Sequence, residues 1–306
     1  MKKTFRIAGA LALCLTMIPA MVSCGDDEDE PGGGSSEVVE GTRLTSVNNV
    51  NISYDDKGRV YRFGSSSQYG YIDYEQGVIS IPENEEGEMK VKFNGKGYIS
   101  SLNQNWDYTE DGEWEKGSSK ASFSYDGDGH LVQVTVSSAG EYDDKEDNES
   151  GKFSENFTID LTWSNGNLTK VVEEGTKVED GREYKWMDLY DLDYNMDLSN
   201  KFRQMTMSQF DCVMDDDFFS ILACAGMFGV GSELLPSKIE ENDDDGYSEV
   251  SLLSFSLNDN GTIAREKCDD DTYYYGYGNA DVRSASGAKL FSAKKCGLFR
   301  SHRNRR

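Results

Sequence analysis

The sequence predicts an all-β fold: a curled antiparallel β-meander, a partly closed barrel or two stacked sheets, with one short helix near residues 215–229. Three observations predict it. A turn-marked unit recurs along the chain. The residues flanking each turn alternate apolar and polar with period two. The number of such segments, on the order of a dozen or more, exceeds what an open twisted sheet usually holds without curling or splitting.

The chain has 306 residues, with 31 Lys+Arg against 56 Asp+Glu and a formal net charge of -25. Hydrophobic residues make up 37%, enough for a packed core. The acidic balance excludes a general nucleic-acid binder, since phosphate contacts need Lys and Arg in excess. Two His leave no material for His-based triads or multi-His zinc sites.

Residues 1–23 read as a signal peptide. Lys2, Lys3 and Arg6 precede an apolar run from Ile7 to Val22, a segment that is removed rather than folded. Val22 and Ser23 before Cys24 have the form of a relaxed bacterial lipobox. This implies cleavage before Cys24, its lipidation, and anchoring by two or three acyl chains. Residues 24–43 form a tether: an acidic run, Asp26 to Glu30, then Pro31-Gly32-Gly33-Gly34-Ser35-Ser36, a flexible composition.

Residues 44–282 are expected to form a single β-rich domain. Its repeated unit reads aromatic, turn residues, Gly, any residue, aliphatic. Tyr54-Asp55-Asp56-Lys57-Gly58-Arg59-Val60 and Tyr125-Asp126-Gly127-Asp128-Gly129-His130-Leu131 are the clearest copies. Phe93 to Leu102 with Gly97, Trp163 to Val171 with Gly166, and Leu257 to Ile263 with Gly261 are further ones. Asp and Asn side chains form local turns, and Gly takes the left-handed conformation that closes a hairpin. Met89, Val91 and Phe93 alternate with Lys90 and Lys92, and Phe157, Ile159, Leu161 and Trp163 alternate with Thr158, Asp160 and Thr162. Hairpins are also expected at Tyr71–Ile81 around Gly77 and at Trp106–Trp114 around Asp111-Gly112. Irregular spacing of the repeat glycines excludes a strict solenoid or propeller.

The expected helix starts at Asp215-Asp216-Asp217, where acids favour the positive end. Phe218, Phe219, Ile221, Leu222, Ala225 and Phe228 follow at helical spacing, and Gly229 and Gly231 can stop it. It is too short to span a bilayer. It is expected to pack on or plug the β core, with a lid over a cavity as the other reading. Residues 139–152 and 241–246 read as acidic loops. Residues 283–306 hold eight Lys+Arg and no acid, a basic tail expected to be disordered. Residues 24–282 thus hold 20 Lys+Arg against 56 Asp+Glu, a net charge of -36.

The repeat resembles the YD-type hairpin, Tyr-Asp-x-x-Gly-x-Leu/Val-x-x-Val/Ile, of bacterial cell-surface proteins. With the lipobox, the acidic leader and Leu234-Leu235-Pro236-Ser237-Lys238-Ile239, the chain resembles a family of gut Bacteroidota surface lipoproteins. The acidic run after the cysteine resembles the export signal of such proteins. The resemblance implies an all-β fold and an outer-membrane, outward-facing address. It implies no catalytic residues.

No phosphate loop, G-x-S-x-G elbow or H-E-x-x-H occurs. The acidic runs at 215–217, 243–245 and 269–271 match no calcium loop, and Asp126-Gly127-Asp128-Gly129 is accounted for as a turn. No metal, cofactor or catalytic residue is therefore assigned. His130 reads as a solvent-exposed turn residue. Cys212, Cys224, Cys268 and Cys296 show no C-x-x-C spacing, and one disulfide or four free thiols both fit. Aromatic residues give the ligand candidates. Trp106 and Trp114 flank a turn, and Tyr273, Tyr274, Tyr275 and Tyr277 follow an acidic run. Such side chains are rigid contact surfaces for partners or sugar rings, though Tyr273, Tyr275 and Tyr277 would share one strand face and can equally pack the core. The expected function is a non-catalytic binding or envelope interaction module, with a glycan or an envelope protein as ligand. A carboxylate-dependent glycan-degrading enzyme and an apolar-ligand carrier are the alternatives.

Overall fold

A computed structural model describes residues 43–65, 69–81, 88–110, 113–144, 149–194, 198–214 and 216–278. The expected signal peptide, lipidated Cys24, tether, basic tail, Cys296 and Asp111-Gly112 turn lie outside the described residues. The fold is one closed antiparallel barrel of sixteen strands in sequence order. The strands are β1 (Leu44–Val47), β2 (Val50–Tyr54), β3 (Val60–Gly64), β4 (Tyr69–Asp73), β5 (Val78–Ser80), β6 (Met89–Phe93), β7 (Ile99–Glu110), β8 (Glu113–Tyr125), β9 (Leu131–Asp144), β10 (Glu149–Ser164), β11 (Asn167–Glu179), β12 (Arg182–Asp193), β13 (Lys238–Asp243), β14 (Ser248–Leu257), β15 (Ile263–Cys268) and β16 (Asp271–Tyr277). Two helices, α1 (Met207–Asp211) and α2 (Asp217–Cys224), interrupt the meander between β12 and β13. The barrel closes where Leu44 pairs with Tyr277 and Val47 with Tyr275. The expected all-β fold takes the barrel form, closed fully rather than partly, so that every strand has a neighbour on both sides.

The recurring sequence unit places all its turns at one end of the barrel. The glycine of the Asp126 turn, Gly129, has φ +94°, a left-handed conformation open to glycine at little cost. Asp126 Oδ1 accepts from the backbone N–H groups of Gly129 and His130, both at 2.8 Å. The aromatic residue of the unit has its own task. Tyr54 donates its hydroxyl hydrogen to the Leu44 carbonyl at 2.7 Å, Tyr74 to Val60 at 3.0 Å and Tyr125 to Ile99 at 2.6 Å. The Trp163 indole N–H reaches the Leu131 carbonyl at 2.8 Å, and Tyr194 reaches Leu168 at 2.7 Å. In each case the aromatic at the end of one strand ties down the first aliphatic residue, or its near neighbour, of the strand before it. Three of the five copies, at Tyr54, Tyr125 and Trp163, are therefore stitches around the rim, and Tyr74 and Tyr194, outside the repeat, add two more.

A sixteen-strand barrel is too wide for its own side chains to fill. Residues between β12 and β13 fill it at the turn end. Phe228 lies in contact range of Phe123, Phe210 and Phe219, with ring centroids at 5.0, 4.9 and 6.0 Å. Met207, Ile221, Leu222 and Leu235 are buried beside them. This plug is pinned to the rim turns through its backbone. Val230 N–H donates to Gly129, Glu233 N–H to Gly166, and Ile99 N–H donates to Met227, all at 2.9 Å.

The expected helix near 215–229 is α2, which is shorter than that span, and a second short helix, α1, precedes it. Asp216 caps α2 by accepting from Phe218 and Phe219 N–H, and the helix ends at Cys224 because the chain turns at Gly226 (φ +83°). Helix α1 was legible only in its capping box, Thr206 with Gln209. The stretches read as acidic loops at 139–152 and 241–246 lie largely within β9, β10 and β13.

Candidate ligand-binding surface

Strands β1 to β6 are 3–5 residues long, while β7 to β12 are 12–16. The long strands therefore project as a six-stranded wing beyond the end opposite the plug. Glycines on the inner face let aromatics lie flat within it. The indole of Trp106 covers Gly117, that of Trp186 covers Gly175, and the Phe153 ring covers Gly140. The indole nitrogens are satisfied there: Trp186 donates to Glu173 at 2.7 Å and Trp106 to Glu115 at 3.1 Å.

The wing's inner face carries an in-register polar row, Gln104, Ser119, Ser138, Glu155 and Lys177, every member buried. Lys177 pairs with Glu179 at 3.2 Å, and Tyr142 donates to the same carboxylate at 3.3 Å.

The outer face holds a trough of about 770 Å³ crossing β8 to β12. A second hollow of about 420 Å³ extends it onto β7 and shares Lys120, Ser137 and Asn156 with it. Its central row runs in register perpendicular to the strands: Asn103, Lys120, Ser137, Asn156, Thr176, Lys185. Ser122, Thr135, Thr158, Glu174 and Met187 form the row on one side. Two lysines, Glu174 and Asp244 are the charges lining the larger hollow, so the trough is balanced in a body that is strongly acidic. Sequence reading missed this surface because Ser, Thr and Asn at alternate strand positions look like any solvated face. The signal was the run of such residues at outward positions of five neighbouring strands, visible only once register is known.

The predicted aromatic residues do not form one site. Trp106 points inward and is half-buried, while Trp114 lies on the outer face, its indole N–H 3.3 Å from Asp143. Trp114 shares the trough's face but sits four residues before Ser118, at the start of β8. Tyr275 and Tyr277 turn inward onto the plug. Tyr275 is 6% exposed and bonds Glu266, and Tyr277 donates to Gln204 at 2.7 Å. Tyr273 shares their face, half-buried, and Tyr274 is outward and 53% exposed.

Burial of Glu266 raises its pKa, outweighing the lowering effect of hydrogen bonds from Tyr275 and Ser208. Its oxygens accept the Met207 and Ser208 N–H groups at 3.2 and 3.1 Å, which fastens α1 to β15.

His130 is not a solvent-exposed turn residue. It is 4% exposed and stacks on Trp163 at 4.2 Å. Its Nδ1 faces Asp126 at 2.9 Å and its Nε2 faces the Arg203 guanidinium at 3.2 Å. A guanidinium can only donate, so Nε2 accepts and Nδ1–H donates. Asp126, Asp128 and His130 bring ligand-type atoms within 4.8 Å of one another. The cation on Nε2 and the turn bonds on Asp126 make this a clasp between rim and plug rather than a metal centre. Cys212 and Cys224 are buried free thiols and Cys268 a half-buried one; burial pushes all three up in pKa.

No family model matches the sequence, and no curated protein matches it. Among solved structures, the barrel is similar to a porin-like protein from Bacteroides vulgatus, at 15% identity and TM-score 0.53, over 78% of this chain and 99% of that one. A porin-like protein from Bacteroides uniformis aligns at 13% identity and TM-score 0.47, over 78% of this chain and 96% of that one. The first likeness is one of fold: this chain has the closed barrel of a porin-like protein.

Proposed function

We propose that this protein is a lipid-anchored, outward-facing lipoprotein of the outer membrane whose barrel stands in water and binds a ligand on its outer wall without chemistry. It does not conduct solutes. The observation that carries this reading is the polarity of the wall. A membrane-spanning barrel turns an apolar band about 25 Å tall outward and keeps a polar lumen. Here Lys90, Lys92, Lys120, Asp160, Asp191, Arg265 and Lys267 are exposed on the outside, while their strand neighbours Val91, Ala121, Ile159, Leu192 and Glu266 are buried inside. Each basic residue on a lipid-facing wall at mid-depth costs about 2–4 kcal/mol. Five of them together match or exceed the usual stability of a domain, about 5–15 kcal/mol. Anchoring then falls to the acyl chains expected on Cys24, with the acidic run behind it as the export signal.

The test is membrane fractionation of the full chain and of Cys24→Ala, with an alkaline wash. The expected result is wild type in the membrane fraction and Cys24→Ala in the soluble fraction, with no conductance steps from wild type in planar bilayers. Retention of Cys24→Ala after the wash, or discrete channel openings, would overturn the reading.

A glycan-degrading enzyme is the second reading, favoured by Glu174 and Asp244, which line the same trough. It requires released reducing sugar that Glu174→Gln and Asp244→Asn each abolish.

A further inference from the structure

We propose that the ligand of the outer trough is a neutral, linear, β-linked polysaccharide, lying across the strands along the row from Asn103 to Lys185. This deepens the reading of the barrel as a tethered binding module and rests on it.

Three features carry the inference. The first is chemistry. A sugar hydroxyl both donates and accepts, and Ser, Thr and Asn side chains do the same, whereas a carboxylate or an ammonium does one only. Four of the six row residues are Asn103, Ser137, Asn156 and Thr176. Among the described residues, their side chains have no hydrogen-bond partner, so their groups are available to a ligand.

The second feature is spacing. Neighbouring strands lie about 4.8 Å apart, so six in-register residues span about 24 Å. That interval is close to the advance per sugar along an extended β-linked hexose chain. One strand can therefore address one sugar, and the row holds a chain of about six. A protein segment added as a strand would need free backbone groups at a sheet edge, and the middle of the row, Lys120, Ser137, Asn156 and Thr176, lies on strands paired on both sides.

The third feature is charge. Residues 24–282 hold 56 acids against 20 bases, a field that repels polyanions. Within the larger hollow the charges cancel, two lysines against Glu174 and Asp244, and Lys185 is already paired with Glu183 at 3.0 Å. A uronic-acid chain would find no net positive surface there. A neutral chain would find unopposed hydrogen-bonding groups.

The experiment is isothermal titration of the full chain in detergent micelles. The probes are linear β-linked oligosaccharides of glucose, mannose, galactose and xylose, from two to eight sugars, with oligogalacturonate as the anionic arm. At least one neutral series is expected to bind, with affinity rising at least tenfold from three sugars to six and levelling off beyond. Oligogalacturonate is expected to bind at least tenfold more weakly. Ser137→Trp fills the centre of the row and should cost at least tenfold, as should the gentler pair Asn156→Ala with Thr176→Ala. Lys92→Ala, outward on β6 away from the trough, should change nothing. The inference is overturned if no neutral series binds, if the anionic arm binds as well, if affinity ignores length, or if both row variants bind as wild type does. Failure here, with Cys24→Ala still released to the soluble fraction, removes the ligand class and leaves the tethered barrel standing. A barrel that stays embedded removes the reading beneath it.

Discussion

Removing the rim hydroxyls tests whether the repeated aromatic is a stitch or merely a strand former. The perturbation is Tyr→Phe at Tyr54, Tyr74 and Tyr125, singly and together. Each hydroxyl donates to a carbonyl of the preceding strand, at 2.7, 3.0 and 2.6 Å. The ring is kept, so packing is unchanged. What is lost is one hydrogen bond, worth about 0.5–1.5 kcal/mol net, and more where the carbonyl is left dry. Burial raises the pKa of all three hydroxyls, as expected of groups held away from water. The three stitches close β2, β4 and β8, so they lie at least two strands, or about 10 Å, apart, far enough for near-additive effects. The triple variant should therefore lose about 3 kcal/mol, and for a domain of this size its melting temperature should fall by about 6–12 °C. Thermal melts by circular dichroism, repeated in guanidinium, read this out. Tyr274→Phe is the control, since that ring is 53% exposed on the outer wall. A triple variant melting within about 2 °C of wild type would refute the stitch and return the motif to simple β-propensity.

Phe228→Ala opens a cavity among Phe123, Phe210 and Phe219 and should cost about 3–5 kcal/mol, measured by guanidinium unfolding; a loss below about 1 kcal/mol would mean the plug is not core. Gly175→Ala puts a methyl into the Trp186 indole, so tryptophan emission should shift red and stability fall by about 1–3 kcal/mol; an unchanged spectrum would contradict the packing. Glu266 is raised in the folded barrel, mainly by burial, so its ionisation destabilises the fold as pH climbs above the ordinary carboxylate range. In Asp55 and Asp126 burial acts in the same direction but is outweighed by hydrogen bonds from Arg59 and from His130 and Gly129, so both are lowered. They stabilise above that range and lose the contribution as pH falls through it. The melting temperature should peak near about pH 5 and decline toward pH 8, and Glu266→Gln should flatten that decline; a wild-type curve that rises from pH 5 to 8 would be inconsistent with this assignment.

Much of the fold was legible because hairpin physics is local. Asp or Asn beside a glycine, with alternating flanks, specifies a turn and two strands within about ten residues, and so the hairpins at Gly58, Gly97, Gly129, Gly166 and Gly261 follow from the sequence. Closure was not legible, since pairing of Leu44 with Tyr277 joins residues at opposite ends of the domain and no local pattern encodes it. Helix α1 escaped because five residues carry less than two turns of periodicity. The trough escaped for a related reason. Ser137 and Asn156 become neighbours through register, and a shift of one residue would have turned every side chain to the other face. His130 looked exposed because its turn is exposed in isolation. The plug that covers it arrives through Arg203, 73 residues away.

The polarity of this barrel and its plug are one fact rather than two. Strand alternation fixes which face is apolar, and the choice here is inward, as Val91, Val134, Ile159 and Val171 show. An eight-strand barrel with that choice can fill itself. At sixteen strands the lumen is wide enough for a column of water, and an apolar lining facing water would forfeit about 25 cal/mol for every Å² left wet. A porin resolves the same geometry by making the lumen polar and the outside apolar. This chain resolves it by threading Phe210, Phe219 and Phe228 into the apolar end, and by narrowing the other end with Trp106 and Trp186 laid over glycines. On the proposed reading, a cylinder filled by protein at its apolar end is a scaffold rather than a channel. What remains is its outer wall, held rigid by a continuous hydrogen-bonded ladder. The trough lies on that wall, where the long strands give it the most area.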